Sequence, residues 1–269
     1  MKKKKLIIPD VHQKIRKVKN ILKKADYDEV ISLGDWFDDF GDTADQAEAT
    51  AEYLLELQNT LGDRFIWLLG NHDIPYVFPE STDLYWCSGV TEEKIEKVHE
   101  VFREKLDTQR LRLFHIIETK GRVPIVLSHA GVHPKQFHNR ITIKGMRDAE
   151  QFALLEASLG RNNLLLQAGR CRGGREPIGG VTWLDWYYEF EPIKRINQIV
   201  GHTTQRNGYS IVNQSYENIY ATYQTTESGA NVDIYEFGNK DNFNLCLDTH
   251  LQHYAIIEDN KLKVYEYDI

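Results

Sequence analysis

One pattern constrains this chain more than any other. Short apolar runs, each of a length suited to a buried strand, stop abruptly at glycine, proline or a polar residue and then present a side chain able to hold a metal. Val30-Ile31-Ser32-Leu33 runs into Gly34-Asp35-Trp36-Phe37-Asp38. Leu6-Ile7-Ile8 gives way to Pro9-Asp10-Val11-His12, and Phe65-Ile66-Trp67-Leu68-Leu69 to Gly70-Asn71-His72-Asp73. Further on, Val126-Leu127-Ser128 is followed by His129, and Ile199-Val200-Gly201 by His202. In an open α/β sheet, ligands bind beyond the carboxyl ends of the strands, where several loops aim into one crevice. Chemistry is therefore expected at these strand ends, with Asp35 central to it.

The intervening segments fit that scheme. Ile15, Val18, Ile21 and Leu22 fall at helical spacing within Lys14 to Lys24, with lysines and Arg16 on the other face. A second strand is expected from Asp28 to Leu33 and a second helix from Thr43 to Thr60, closed by Leu61-Gly62. Strand, helix, strand, helix, strand implies a parallel sheet with right-handed crossovers, which puts the first three ligand-bearing ends on one edge. Ile74 to Gly89, with Pro75, Pro79, Tyr76, Tyr85 and Trp86, reads as a long loop over the site. A helix from Thr91 to Leu106 has Glu92 and Glu93 in its first turn, but a lysine where the acidic partner of a capping box would stand. Strands are expected at Leu111 to Ile117 and Val123 to Leu127, and a helix at Asp148 to Leu159. From Tyr209 onward, Ile211-Val212, Ile219-Tyr220-Ala221, Val232 to Tyr235, Leu245 to Leu247, Tyr254 to Ile257 and Leu262 to Tyr265 read as an antiparallel second half.

Ligand-type residues spread from Asp10 to His202 serve one site only if their segments fold together. One domain is thus expected over 1–269, with an insertion or lid around 134–192. The chain is 41% hydrophobic and 27% charged, an ordinary globular balance, and no stretch approaches a membrane span. Its net charge of −7 argues against a long nucleic-acid partner. Lys2 to Lys5 read as a solvated start to the first strand, since the apolar run before Pro9 is too short for a secretion signal. Cys87, Cys171 and Cys246 are odd in number and widely spaced, which fits a reducing cytoplasm.

Taken singly, these residues prove little: an aspartate after a strand is an ordinary turn former. Together, Asp10-x-His12, Gly34-Asp35-x-x-Asp38, Gly70-Asn71-His72-Asp73, His129 near Gly131, and Gly201-His202 resemble, in content and order, the signature blocks of the calcineurin-like metallophosphoesterase superfamily. The resemblance implies an α/β fold, a two-sheet αββα sandwich, and a pair of divalent ions about 3.5–4 Å apart. It gives Asp10 and His12 to the first ion, Asp35 to both as a bridge, and Asn71, His129 and His202 to the second. His72 stays unligated, contacts the substrate phosphate and helps the leaving group depart, with Asp38 bonded to its imidazole. The implied activity is metal-dependent hydrolysis of a phosphoric ester by a hydroxide shared between the ions. Oxygen ligands mixed with imidazoles suit a borderline metal, Mn²⁺ first, with Fe or Zn²⁺ as alternatives.

Two departures bear on the branch. Where many members read G-H-x-H, this chain has Thr204, as in the serine/threonine protein phosphatases and symmetrical diadenosine tetraphosphatases it is nearest to. Those enzymes follow G-D-x-x-D with Arg-Gly, whereas here Asp38 precedes Asp39-Phe40-Gly41. A replacement phosphate-binding cation is expected from the glycine-flanked Arg170, Arg172 and Arg175. Trp183, Trp186, Tyr187 and Tyr188 offer either a base-stacking platform or part of the core or a lid. Leu247-Asp248-Thr249 is similar to the I-D-T-G segment of the tetraphosphatase-like branch. The expected substrate is a phosphomonoester on a small molecule or phosphoprotein. The rivals are a nucleotide phosphoanhydride or phosphodiester, and, of another class, an inactive metal-binding interaction module.

Overall fold

The computed structural model describes residues 3–118, 121–137, 141–225, 231–237 and 242–267; Met1 and Lys2 of the lysine run lie outside them. The chain begins β1 (Lys5–Ile8), α1 (Ile15–Lys24), β2 (Glu29–Ser32), α2 (Ala44–Leu61), β3 (Phe65–Trp67). These three strands pair in parallel, β1 with β2 and β2 with β3, as the alternation of strands and helices requires. There follow α3 (Ile74–Val77), α4 (Glu92–Phe102), β4 (Phe114–Ile117), β5 (Ile125–Ser128), α5 (Ile143–Ser158) and β6 (Asn197–Val200). The end of the chain supplies β7 (Ser210–Asn213), β8 (Thr222–Thr225), β9 (Asn231–Glu236), β10 (Phe243–Cys246), β11 (His253–Glu258) and β12 (Lys261–Glu266).

Among the described residues the strands form a seven-stranded sheet, β3-β2-β1-β11-β12-β9-β8, and a five-stranded sheet, β4-β5-β6-β10-β7. Alternation along the strands assigns the faces. Ile7 and Ile31 of the first sheet meet Ile125, Leu127, Ile199 and Leu245 of the second in one apolar layer. Leu6, Ile8 and Val30 face the other way, clustering with Val18 and Ile21 of α1 and Leu54 of α2, while Val126 joins Met146 and Ala153 of α5. This is the αββα sandwich expected from the sequence.

Three expectations need correction. Ile74 to Gly89 is not unstructured: α3 and a 3₁₀ stretch at Pro79–Leu84 occupy it, because Pro75 and Pro79 each stand in a first helical turn, where a missing N–H costs nothing. The helix expected from Asp148 starts earlier, at Ile143, where the Thr142 side chain accepts from the Gly145 amide. Among the described residues the strands after Tyr209 pair antiparallel with one another, as expected, with β10 also running parallel to the earlier β6, but the strand expected at Ile219-Tyr220-Ala221 forms three residues later as β8.

At the start of α2, the Thr43 hydroxyl accepts from the Gln46 amide at 3.3 Å while the Gln46 side chain accepts from the Thr43 amide at 2.9 Å. Thr43→Ala should therefore cost about 1 kcal/mol of folding stability, read from urea denaturation midpoints at unchanged m-value.

Candidate metal centre

The turn after β2 is shaped by a carboxylate from the end of β3. Asp73 is fully buried and accepts from the backbone amides of Asp35 (2.9 Å), Trp36 (2.8 Å) and Gly70 (2.9 Å), and from the Trp67 indole (3.2 Å). Burial and the neighbouring Asp35 charge push its pKa up to about 7, against the pull of the Gly70 and Trp36 amides. The glycines of the blocks have a steric reason. A Cβ at Gly70 would meet Asp35 Oδ1 at 2.1 Å, and one at Gly201 would meet Asp10 Oδ1 at 2.0 Å. Four of the expected site residues hold left-handed backbone: His12 (φ 42°), Asp35 (48°), Asp38 (60°) and His202 (64°). Such conformations cost on the order of 1 kcal/mol or more each, and they cluster where side chains must be aimed.

The strand ends converge into two ligand groups that share one carboxylate. Asp10, His12 and Asp35 offer ligand atoms within 4.8 Å of one another, and so do Asp35, His129 and His202. His129 Nε2 lies 3.3 Å from Asp35 Oδ2, 3.1 Å from His202 Nδ1 and 3.2 Å from Asn71 Oδ1. Its Nδ1 is 2.8 Å from the Leu33 carbonyl, which can only accept, so Nδ1 carries the proton and Nε2 faces the centre. His12 is set the same way, with Nδ1 donating to the Asp38 carbonyl at 2.6 Å and Nε2 toward Asp35 Oδ2 at 3.9 Å. Both Asp10 oxygens accept from the His202 amide, at 3.1 and 2.9 Å.

This donor set fits divalent metals. Asp35 Oδ2, Asn71 Oδ1 and two imidazole nitrogens turn on one another in a buried space, a crowding of acceptors that a shared cation resolves. The charges favour a cation at this place, and a metal binding there would displace the proton that the acids hold on His129. Burial, then Asp248 at the end of β10, pushes Asp10 well above the usual carboxylate range. Burial opposes charge on Asp35 as well, yet His129, His72 and His12 outweigh it and hold that carboxyl low. Burial also works against a charged His129, but Asp35 and Asp10 lift it to about 9.

His72 stands outside both groups, in a separate set with Asp38 and Cys87 whose ligand-type atoms also lie within 4.8 Å of one another. Its Nδ1 lies 3.0 Å from Asp38 Oδ2, and its ring meets His12 edge-on at 5.4 Å. Burial disfavours its charged form, but Asp35 and then the Asp38 bond raise its pKa well above the usual value. Asp38 also accepts from the Tyr76 hydroxyl and from Lys94, and Cys87 Sγ lies 3.4 Å from His72 Nδ1. Sequence reasoning missed Lys94, Tyr76 and Cys87. It quoted Asp73 within its block without seeing that the acid holds the turn.

The three arginines fare differently. Arg170 and Arg175 are exposed, whereas Arg172 Nε lies 2.8 Å from Asp185 and its Nη2 donates to Thr203 Oγ1 at 3.1 Å, one residue past His202. Of the aromatic cluster, Trp183 meets the His202 ring edge-on at 5.7 Å, Trp186 is buried on Phe190 at 4.2 Å, and Tyr187 and Tyr188 are exposed. Asp39 pairs with Lys14 at 2.8 Å, and the Thr204 hydroxyl donates to Asp248 at 2.7 Å.

The sequence model of the calcineurin-like phosphoesterase family matches residues 4–212, and the chain belongs to that family. It is accordingly a metal-dependent phosphoric ester hydrolase, with histidine and aspartate groups able to hold the family's metals. No curated protein matches the sequence significantly. Similar solved structures include a metallophosphoesterase from Sphaerobacter thermophilus, at 13% identity and TM-score 0.44, covering 100% of this chain and 89% of that one. A serine/threonine phosphatase from Saccharomyces cerevisiae shares 13% identity at TM-score 0.47, covering 100% and 81%. The phosphatase domain of the Legionella effector WipB shares 16% identity at TM-score 0.45, covering 72% and 78%. Among the described residues no helix is long and apolar enough to cross a membrane.

Because Asp73 accepts four hydrogen bonds and donates none, Asp73→Asn must turn an NH₂ toward N–H donors. It should lose about 1–3 kcal/mol of stability and weaken metal retention, read by urea denaturation and by metal content after dialysis.

Proposed function

We propose that this hydrolase cleaves a phosphomonoester, a phosphoprotein side chain included, using two divalent ions. Asp10 and His12 would hold the first ion, Asn71, His129 and His202 the second, and Asp35 both. One observation carries the reading: Asp35 belongs to two ligand groups at once, and His72 stands beside them, outside both, bonded to Asp38. Mn²⁺ suits the mixed ligands best, with Fe or Zn²⁺ next. When bound, the ions would neutralise phosphoryl oxygens and make water acidic enough to attack at neutral pH.

The protein's own part is orientation and proton transfer. His72 commits its Nδ1 proton to Asp38, leaving Nε2 as the nitrogen that gives a proton to the departing oxygen. Its raised pKa keeps that proton on the ring until it is needed. A monoester dianion concentrates charge on one phosphoryl group, so it needs cations there and little grip on the leaving side. Arg172, steadied by Asp185 and Thr203 next to His202, is the best placed of the three arginines to add such a cation. Three free cysteines among the described residues suit the cytoplasm as the working compartment.

A second reading, hydrolysis of a nucleotide phosphoanhydride or phosphodiester, draws support from Trp183, whose indole stands against His202 where a base could lie. A panel of p-nitrophenyl phosphate, bis-p-nitrophenyl phosphate, a phosphopeptide, cyclic nucleotides and diadenosine tetraphosphate, each with Mn²⁺, separates the two. Monoesters should win on kcat/KM. A preference of about tenfold for diesters or dinucleoside polyphosphates, about 1.4 kcal/mol, would replace the first reading with the second. On the preferred substrate, His72→Ala should keep its metals while kcat falls about 10²–10⁴-fold.

Asp35→Asn should instead lower metal content at both sites and abolish turnover. Elemental analysis of dialysed protein checks this, and two retained ions with normal activity would refute the bridging role.

A further inference from the structure

Lys94 is the least expected charge in the molecule. It occupies the third position of α4, where its amide caps onto Thr91 Oγ1 and its side chain is 5% exposed. A cation in the first turn opposes the helix dipole, and a buried ammonium carries a desolvation cost; two unfavourable terms at one residue call for compensation. The compensation lies in the loop after β2. Lys94 Nζ donates to Asp38 Oδ1 at 3.1 Å, to Asp42 Oδ1 at 2.6 Å and to the Gly89 carbonyl at 2.7 Å, so its three protons are all used. Asp38 Oδ1 takes a second bond from the Tyr76 hydroxyl at 2.6 Å. That oxygen is thereby occupied twice, and Oδ2 alone remains for His72.

We propose that Lys94 and Tyr76 are positioning residues for proton donation by His72: together they clamp one oxygen of Asp38 so that the other fixes the imidazole's tautomer and aim. The proposal rests on the reading of His72 as the group that protonates the leaving oxygen. Asp38 stands at φ 60° on a short loop, a backbone that does not by itself fix the carboxylate. Without the clamp Asp38 Oδ1 loses both its donors and the carboxylate is free to turn about its remaining bond to His72, while Asp42 loses the ammonium it pairs with. The lysine reaches in from α4 and the tyrosine from α3, so two separate elements set one rotamer.

The test uses leaving-group dependence, which a merely structural role does not move. Wild type, Lys94→Met, Lys94→Arg, Tyr76→Phe and His72→Ala are loaded with Mn²⁺, checked for metal content, and assayed on p-nitrophenyl phosphate and phenyl phosphate. Phenolate leaves poorly and depends on a proton donor; p-nitrophenolate depends on it less. Lys94→Met should keep both metals, hold KM within about twofold and lose about tenfold or more in kcat on phenyl phosphate, with a smaller loss on p-nitrophenyl phosphate. Tyr76→Phe should show the same bias at lower amplitude, and Lys94→Arg should recover part of the loss. Phe at position 76 keeps the packing on Phe37, whose ring is 4.5 Å away, so this variant decides the matter if Lys94→Met does not fold. Equal losses on both esters, or loss of metal, in variants where His72→Ala shows the bias overturns the clamp alone. If His72→Ala itself shows no bias, the reading of His72 falls and takes the clamp with it.

Discussion

The site depends on one buried carboxylate that belongs to neither ligand group. Asp73 gathers the amides of Asp35, Trp36 and Gly70 and the indole of Trp67, and so ties the ends of β2 and β3 at the point where the chain leaves the sheet. Each bond is made in the dry interior, where an unmatched N–H would cost 1–3 kcal/mol, about what a strained residue costs. The left-handed backbone at Asp35 is held by that tie. From it follow the direction of the Asp35 carboxylate, the bond from the His72 amide to Asp35 Oδ1 at 2.9 Å, and the need for glycine at position 70.

What was legible in the sequence is what local chemistry repeats. Apolar runs broken by glycine and acid placed β1, β2, β3, β5 and β6 and put the ligand-type residues at their ends, because a parallel sheet sends such ends to one edge. In the sequence the glycines mark where the apolar runs stop; at positions 70 and 201 they also leave space for a carboxylate oxygen. Lys94 gave a faint signal, a cation where a capping acid belongs. Tyr76 and Cys87 gave none, since their approach to Asp38 and His72 comes from tertiary packing and no periodicity encodes it. The segment from Ile74 to Gly89 was misread for a related reason. Its prolines suggested a loop, although proline in a first turn starts a helix as readily as it ends one.

The family match ends at residue 212, yet the strands beyond it are not an appendage. β11 pairs antiparallel with β1, and β10 inserts between β6 and β7, so each sheet takes a strand near its middle from the end of the chain. The Asp10 strand thus lies between β2 and β11, and the strand before His202 between β5 and β10. Long-range pairing of this kind carries a loop-closure cost. In return, the strands that lead into Asp10 and His202 are braced on both sides by hydrogen-bonded neighbours, which fixes where those side chains leave the sheets.

Two positions at which the chain departs from the family blocks are engaged by other side chains. Asp39, standing where arginine is usual, is turned outward and neutralised by Lys14, whose ammonium also reaches the His12 carbonyl at 3.4 Å. The acid therefore adds little repulsion toward a phosphate and instead steadies the backbone of a ligand-type histidine. Thr204, standing where a histidine is common, donates its hydroxyl to the buried Asp248. That hydroxyl satisfies one oxygen of an acid whose nearness helps to push Asp10 above the usual carboxylate range. The threonine hydroxyl therefore serves as a hydrogen-bond donor to a neighbouring buried acid that lies outside the groups sharing Asp35.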